Sequence, residues 1–450
     1  MAGYGWILQR IGGFTLKKNL NFILNFVFTI SISAMFFCSG CFLQVTDEEK
    51  VEEEKEWNIL IYMAADNNLE SSAISDINEM ESSGFDTSKM NIFVLVDRAL
   101  GNDASNGDWS DTRLLKIVND NSAAIASTRL NCNELTLSEN TSVELDMANK
   151  EVLEGFIQFV MNNFPARYNA FIVWGHGCGW RYYSTDINSQ TSLSLYDLGI
   201  GLKRGLAGYR PFDLIAFDTC FSLNLETIYE LKNYGSIFAG TPGLEINDGW
   251  NYNFLGKALK SDCSPLMLGQ IICDSFREEY GSYEYGSFAL IDLSKVKEFC
   301  EGLNMYFSEI SECICNREKQ NSYRTFIKSD VIGYDALSYP CDHYFDIYDF
   351  VSKVKEIEED IDNTNIENLF SEMFLYTVCS SSMCSQYPLG LYFTTYIADG
   401  VCDVSHPLSY TALSKVSGKC SLVNDLISYV PTTEGETSFL DCLFYKNFNL

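Results

Sequence analysis

Short, nearly continuous apolar segments recur along the chain after residue 57, and each is bounded by polar or turn-forming residues. They lie at residues 58–63, 91–97, 170–174, 212–217 and 236–240. Between them, segments such as 149–163 place apolar residues on one face of a helix. Strands that are apolar on both faces, separated by helices, are typical of a parallel sheet covered on both sides. The pattern therefore predicts an α/β fold with a mostly parallel sheet and helices on both faces.

The pattern is weaker in the last third of the chain. It predicts helices at residues 294–313, 344–360 and 366–383 and a late strand at 388–393. We expect residues 396–450 to form a C-terminal α+β extension that packs on the main domain.

The N-terminal segment has the pattern of an export signal. Three basic and no acidic side chains precede an apolar stretch at residues 20–37, and the small residues Ser39 and Gly40 follow it. This order is typical of a secretory signal peptide, which we place at residues 1–40. Polar residues interrupt the apolar stretch, which disfavours the alternative of a retained transmembrane helix.

The end of this signal, Ser39-Gly40-Cys41, resembles a bacterial lipobox. The resemblance implies that Cys41 carries a lipid and becomes the first residue of the mature chain. The alternative is simple cleavage after Gly40, which would release a soluble secreted protein. Residues 47–56 hold seven acids and two lysines, and such a run is solvated. We therefore interpret residues 41–56 as an acidic tether.

Charge and composition exclude several functions. The chain has 31 basic and 61 acidic side chains and a formal net charge of −30, which argues against nucleic-acid binding. It has only three histidines, His176, His343 and His406, so a multi-histidine metal site is disfavoured. Any histidine catalyst must be one of these three.

Export would place the cysteines in a compartment that permits disulfides. Setting aside Cys38, Cys41 and Cys220 leaves an odd number of the 16 cysteines. At least one further thiol is then expected to be unpaired or joined to another chain. The sequence does not determine the pairing.

Two predicted strand ends carry candidate chemistry, and ligands collect at the carboxyl ends of such strands. His176 follows the strand at 170–174 and lies between two glycines. Cys220 follows the strand at 212–217 and precedes a predicted helix at 223–231. We expect this helix start to favour the thiolate.

A cysteine and a histidine on neighbouring strand ends could form an activated sulfur nucleophile. The imidazole would remove the thiol proton and later donate one to the leaving amine. The backbone amides of Gly177 and Cys220 could bind the developing oxyanion. The alternatives are a tight Gly-His-Gly turn and a thiol that only fills the core.

The two strand ends belong to a wider pattern of segments that are spread along the chain. The strand ends are Trp174-Gly-His-Gly-Cys-Gly-Trp180 and Phe217-Asp-Thr-Cys220. The other segments lie at residues 57–69, 96–98, 111–113, 165–168, 247–252, 346–350 and 390–393. In these segments the chain resembles the clostripain-like cysteine peptidases, which share the caspase-like fold with gingipains, legumains and caspases. The resemblance implies a peptidase domain at about residues 57–395.

The resemblance also implies roles for individual residues. Cys220 would be the nucleophile and His176 the general base of an endopeptidase that forms a thioester acyl-enzyme. Relatives commonly cleave after Arg or Lys, and the acidic residues of their P1 pocket correspond to Asp218 and Asp248. Residues two apart in an extended chain share a face, so Asp218 would lie beside the sulfur. The alternatives are that Asp218 caps a helix or binds a loop amide, and that Asp248 is a turn residue.

The same resemblance implies partners and location. Protein or peptide substrates with basic residues are expected, no cofactor is required, and a calcium requirement stays open because some relatives have one. We expect a bacterial envelope protein held to the membrane by its lipid, or a secreted protein. The alternative functions are a non-catalytic surface lipoprotein that uses the fold for binding, and a peptidase that prefers Asp or Asn at P1.

Overall fold

The computed structural model describes residues 53–245, 248–258, 262–280, 286–314, 316–335, 342–379 and 385–394. The predicted signal peptide at 1–40, Cys41, nearly all of the tether, the extension at 396–450 and His406 lie outside these residues. Within the described part of the chain, no helix combines the length and apolar character needed to cross a membrane.

The strands alternate with helices through most of the chain. The strands are β1 (Lys55–Ala65), β2 (Met90–Arg98), β3 (Thr112–Lys116), β4 (Thr128–Arg129), β5 (Ala166–Trp174), β6 (Tyr182–Asp186), β7 (Thr191–Ser194), β8 (Phe212–Asp218), β9 (Gly235–Gly240), β10 (Ser287–Asp292), β11 (Gly333–Asp335), β12 (Asp342–Asp346), β13 (Phe374–Cys379) and β14 (Gly390–Thr394). The α-helices are α1 (Glu70–Ser82), α2 (Lys150–Asn163), α3 (Leu195–Gly205), α4 (Leu225–Leu231), α5 (Phe254–Lys257), α6 (Pro265–Tyr280), α7 (Val296–Cys313), α8 (Arg317–Ser329), α9 (Ile347–Lys353) and α10 (Thr364–Met373). Short 3₁₀ helices lie at Ser105–Gly107, Asn133–Leu135, Leu293–Lys295 and Val354–Glu356.

The main sheet has nine strands in the order β13-β10-β9-β8-β5-β1-β2-β3-β4. The five central strands, from β9 to β2, are all parallel. The outer strands β13 and β10 on one side and β3 and β4 on the other pair antiparallel. The predicted α/β fold with a mostly parallel sheet is therefore confirmed. Strands β11, β12 and β14 form a second, small antiparallel sheet late in the chain.

The main sheet is buried on both faces, as predicted. Along β1 the side chains alternate between two apolar clusters: Ile61 and Met63 lie in one, and Leu60 and Tyr62 in the other. Helices α1 and α6 cover the first face, and α2, α3, α4 and α7 cover the second. Burying each such side chain stabilises the fold by about 1.5–3 kcal/mol.

Some predicted boundaries are wrong. The first three residues of the helix predicted at 344–360 belong to β12, and α9 begins only at Ile347. The helix predicted at 366–383 ends at Met373, because residues 374–379 extend and pair with β10 as an edge strand. Helix α8 is not among the predicted elements. Strand β1 begins at Lys55, whose amide donates to Pro165 O at 3.1 Å, so the last two residues of the predicted tether belong to the sheet.

The described cysteines include thiols and one half of a disulfide. Cys379 is disulfide-bonded, whereas Cys132, Cys263, Cys273 and Cys300 remain thiols. The expectation of further unpaired thiols is confirmed.

A buried ion pair fixes the start of α1 against the end of β2. Glu70 Oε1 lies 2.7 Å from Arg98 Nε, and neither side chain is exposed to solvent. The other carboxylate oxygen of Glu70 accepts from Asp103 N at 2.9 Å, and Arg98 donates to Asp103 O at 2.6 Å. The pair thus orders the loop after β2 as well as the helix.

Replacing Glu70→Ala is expected to reduce the free energy of unfolding by about 3–5 kcal/mol, because the Arg98 guanidinium would stay buried without a countercharge. Urea denaturation followed by circular dichroism measures this loss. Glu301→Ala is the control: its exposed partner Lys297 lies 3.8 Å away, and about 0.5 kcal/mol or less is expected. Equal losses in the two variants would contradict the assignment.

Candidate active site

Two loops meet at the carboxyl edge of the main sheet because of how β5 pairs with β8. The strands are adjacent and parallel, and Trp174 at the end of β5 stands opposite Asp218 at the end of β8. Gly175 N donates to Asp218 O at 3.2 Å, so the two chains leave the sheet side by side. His176 and Cys220 follow closely on their strands. The structure therefore brings together the two residues that the sequence singled out.

His176 and Cys220 line one open cleft. The residues that line it with them are Leu69, Trp174, Gly175, Asp218, Thr219, Glu245 and Gly249. Gly177 allows the two loops to approach, since a Cβ atom there would lie 2.2 Å from Cys220 O. Any larger residue at position 177 would push the loops apart.

His176 is oriented by a side chain from the loop after β1. Its Nε2 lies 2.9 Å from Asn68 Oδ1. An amide oxygen only accepts, so Nε2 carries the hydrogen and Nδ1 keeps its lone pair. Burial lowers the pKa of His176 below its usual value, and the ring is neutral at neutral pH. It can therefore accept a proton at Nδ1.

Asn68 was not among the predicted site residues. The signal that could have found it is its position directly after strand β1, whose carboxyl end lies at the same edge of the sheet as that of β5.

The helix predicted at 223–231 is present, but its start is farther from Cys220 than expected. Helix α4 begins only at Leu225, where Asn224 caps it by accepting from Thr227 N at 2.9 Å. Burial, together with the charge of Glu245, raises the pKa of the Cys220 thiol to about 12. The thiol therefore holds its proton in this geometry, and a base must remove it.

The two amides predicted to bind an oxyanion are available at this edge. Within the described part of the chain, neither Gly177 N nor Cys220 N donates to another residue. The amides that follow them are engaged: Cys178 N donates to Tyr182 O at 3.0 Å, and Phe221 N donates to Gly243 O at 2.7 Å. The free amides belong to the two loops that carry the imidazole and the thiol.

Asp218 is buried, lines the cleft and lies in hydrogen-bond contact with the carboxyl group of Glu245. It accepts from Tyr252 Oη at 2.9 Å and from the Trp250 amide. Burial raises the pKa of Asp218 to about 7, and burial with the charge of Asp218 raises that of Glu245 well above its usual range. Two carboxyl groups in hydrogen-bond contact cannot both ionise without cost. The pair therefore holds one proton while no cation is present.

One of the two structural alternatives for Asp218 is observed and the other is not. It does bind a loop amide, but Asn224 and not Asp218 caps the following helix. Glu245 was missed from the sequence. It lies in the loop after β9, and the rule that strand ends gather ligands would have pointed to that loop.

Asp248 lies apart from this pair. It is exposed, it precedes Gly249 with φ +63°, and it is not among the described residues that line the cleft. Its charge nevertheless raises the pKa of Asp76 and of Glu79, although burial is the larger cause for both.

The cleft is therefore acidic. Asp76 accepts from Trp174 Nε1 at 2.7 Å, and Glu79 accepts from Tyr252 N at 2.8 Å. Both acids interact electrostatically with Asp218. Among the described residues, no basic side chain forms an ion pair with either of them or with Asp218 or Glu245. This arrangement suits a ligand that brings its own positive charge.

Residues of the small sheet contact both the loop with His176 and the loop with Cys220. Tyr344 Oη on β12 accepts from Trp180 N at 3.1 Å, and its ring stacks on Phe221 with centroids 6.1 Å apart. Gly390 N on β14 donates to Leu223 O at 3.1 Å. The late part of the chain thus holds the histidine loop and the cysteine loop in place.

Comparisons with known proteins find relatives of this chain. A model of the clostripain family, peptidase C11, matches residues 61–437. Clostripain from Hathewaya histolytica is 25% identical over 392 residues, which cover 74% of this chain and 73% of that protein.

Solved structures show the same fold. A secreted C11 cysteine protease from Bacteroides thetaiotaomicron, in complex with an irreversible peptide inhibitor, has a TM-score of 0.57 at 17% identity and covers 83% of this chain and 99% of that one. An inactive zymogen C11 protease from Parabacteroides distasonis has a TM-score of 0.55 at 18% identity, covering 78% and 92% of the two chains.

Proposed function

Because this chain belongs to the clostripain family of cysteine peptidases, we propose that it is an endopeptidase that cleaves after Arg or Lys, with Cys220 as nucleophile and His176 as general base. The observation that carries the proposal is the shared cleft, in which a thiol, an imidazole and two carboxyl groups line one opening.

The proposed reaction follows from the positions of these groups. Nδ1 of His176 takes the thiol proton while Sγ of Cys220 attacks the peptide carbonyl carbon. The oxyanion accepts hydrogen bonds from the amides of Gly177 and Cys220, and one such donor is worth about 10²–10³ in rate. The imidazolium then gives its proton to the leaving amine, and the C–N bond breaks to leave a thioester. His176 next takes a proton from water, whose oxygen attacks the thioester and releases the acid and the thiol.

The raised thiol pKa shapes this mechanism. Because burial and Glu245 keep the thiol protonated, the dyad is neutral before substrate binds. Proton transfer to His176 then belongs to the reaction itself, and the base is indispensable.

The proposed P1 pocket consists of Asp218 and Glu245, with Asp248 acting from a greater distance. A cationic side chain would displace the shared proton and leave two ionised acceptors for charge-assisted hydrogen bonds. Arg and Lys side chains both carry the needed charge. An acidic P1 side chain would add a like charge to a buried carboxyl pair.

The dyad is tested with fluorogenic Arg and Lys peptides on the purified domain. We expect Cys220→Ala and His176→Ala each to lower kcat by on the order of 10⁴-fold or more. Since the pKa of His176 is lowered, its imidazole stays unprotonated to below about pH 6.5. The acid limb of kcat/KM is therefore expected below that pH. A wild-type domain that cuts neither peptide, or a Cys220→Ala variant that cuts as well, would refute the mechanism.

Alkylation distinguishes this peptidase from a binding module. Iodoacetamide should modify Cys220 more slowly in His176→Ala than in the wild type. Cys313, a half-buried thiol on α7, serves as an internal control whose rate should not change. A Cys220 rate that is insensitive to His176→Ala would support the non-catalytic alternative.

Specificity is tested by the ratio of kcat/KM for P1 Arg against its neutral isostere citrulline. Asp218→Asn and Glu245→Gln are expected to lower this ratio by about 10–100-fold, the equivalent of losing a charge-assisted hydrogen bond. Asp248→Asn is the matched comparison and should lower it less, because Asp248 is exposed and outside the cleft lining. Preference of the wild type for P1 Asp or Asn in a peptide library would overturn the Arg/Lys assignment.

We also propose export and anchoring through a lipid on Cys41 after removal of residues 1–40. In a bacterial host, the full chain is expected to partition into Triton X-114 detergent, and Cys41→Ser should move it to the aqueous phase. The physical reason is that an acyl chain contributes about 0.8 kcal/mol per buried CH₂ group. A wild-type protein found in the aqueous phase or the medium would indicate simple cleavage instead.

A further inference from the structure

Strand β6 runs along the loop that carries His176. Gly177 and Tyr183 form an antiparallel bridge. Next to this bridge, Ser184 N donates to His176 O at 2.9 Å. The backbone of the histidine loop is therefore paired directly to the backbone of β6, and Tyr183 lies in the middle of the paired segment.

A β-bulge makes Ser184 available for this contact. The register of β6 against β7 shifts between Tyr183 and Thr185, so Ser184 is an extra residue of β6. Its φ is +61°, and its side chain is fully buried. Bulges are frequent next to active sites, where they redirect a side chain or end a pairing. Here the bulged residue bonds to His176 instead of to β7.

The side chain of Tyr183 reaches the loop that carries Cys220. Its hydroxyl donates to Phe221 O at 3.3 Å and lies 2.7 Å from Thr227 Oγ1 on α4. Phe221 directly follows Cys220 in the chain. The ring of Tyr183 packs edge-on against Phe217 of β8, with centroids 4.8 Å apart, and is completely buried. One residue therefore connects the two loops that line the cleft.

The turn that Tyr183 contacts is strained. Phe221 has a φ of +53°, and an aromatic residue rarely adopts this left-handed conformation. Its carbonyl also accepts from Asn224 Nδ2 at 2.7 Å. Such a conformation persists only where several contacts enforce it, and it is often found at functional sites. Among the non-glycine residues with left-handed backbone in the described ranges, Ser184 and Phe221 are the two that are buried.

We propose that Tyr183 is a positioning residue that sets the spacing between His176 and Cys220. Its backbone pairs with the loop of the imidazole, and its hydroxyl holds the strained turn directly after the thiol. Tyr183 is not among the described residues that line the cleft, so it acts through these two loops. The role rests on the proposed function of His176 and Cys220 as base and nucleophile.

Tyr183→Phe tests this role because it removes the hydroxyl and keeps the ring. We expect kcat for a P1 Arg peptide to fall about tenfold, since a small misplacement of a catalytic group can cost up to about 10²-fold. KM and the ratio for P1 Arg against citrulline should stay the same, because the variant does not alter the acidic pocket. Thr227→Val removes the other partner of the hydroxyl and should also lower kcat at unchanged KM.

Tyr306→Phe is the matched control. Tyr306 on α7 is also buried, and its hydroxyl donates to Asn363 Oδ1 at 2.9 Å. Both variants lose one buried tyrosine hydroxyl, so similar shifts in the thermal unfolding temperature are expected. Only Tyr183→Phe should lower kcat. Equal kcat values in Tyr183→Phe and Tyr306→Phe would overturn the proposal.

Alkylation separates the role of Tyr183 from the dyad itself. Iodoacetamide should modify Cys220 more slowly in Tyr183→Phe than in the wild type, because the imidazole is less well placed to take the thiol proton. Cys313 again serves as the internal control. A wild-type rate that is insensitive to His176→Ala would refute the dyad, and the role of Tyr183 with it. A rate that depends on His176 but is unchanged in Tyr183→Phe would refute the role of Tyr183 alone.

Discussion

The parallel pairing of β5 with β8 is the constraint on which the cleft with His176 and Cys220 depends. With Trp174 opposite Asp218, the imidazole and the thiol leave the sheet at one level. A register shift of one residue would turn every side chain of a strand to the other face. That shift is prevented because both faces of these strands are buried against helices. The packing of the whole core thus determines the geometry of two side chains.

This packing also holds two carboxyl groups, Asp218 and Glu245, at the cleft. Burial favours the protonated forms of Asp218 and Glu245, and it raises the pKa of Asp218 to about 7. A carboxyl group whose pKa is raised in the folded state loses its contribution to stability as the pH rises from about 4 towards 7. A cation that enters the cleft would offset this cost. The proposed affinity for a basic side chain and the cost of burying two carboxyl groups thus have the same electrostatic origin.

The loops around the cleft are held from separate parts of the fold. The small sheet contributes Tyr344, which contacts both the histidine loop and the cysteine loop. The turn after β1 contributes Asn68, whose side chain contacts His176. Loops need such support because they have few backbone partners of their own. The geometry of the His176 and Cys220 loops is therefore a property of the whole domain.

The sequence by itself determined the central strands and the places of His176 and Cys220, because unbroken apolar runs specify buried parallel strands and ligands gather where such strands end. The family resemblance indicated Asp218, and its spacing from Cys220 agreed with that. The sequence did not reveal the partners Asn68 and Glu245, the raised pKa of the Cys220 thiol or the pairing of β13 with β10. Asn68 is 108 residues from His176 in the chain, and Glu245 is 25 residues from Cys220. Contacts between loops so far apart depend on how the chain packs, and local periodicity carries no information about them. Only the tertiary structure decided which carboxyl groups became neighbours, and hence where charge is left without a counterion.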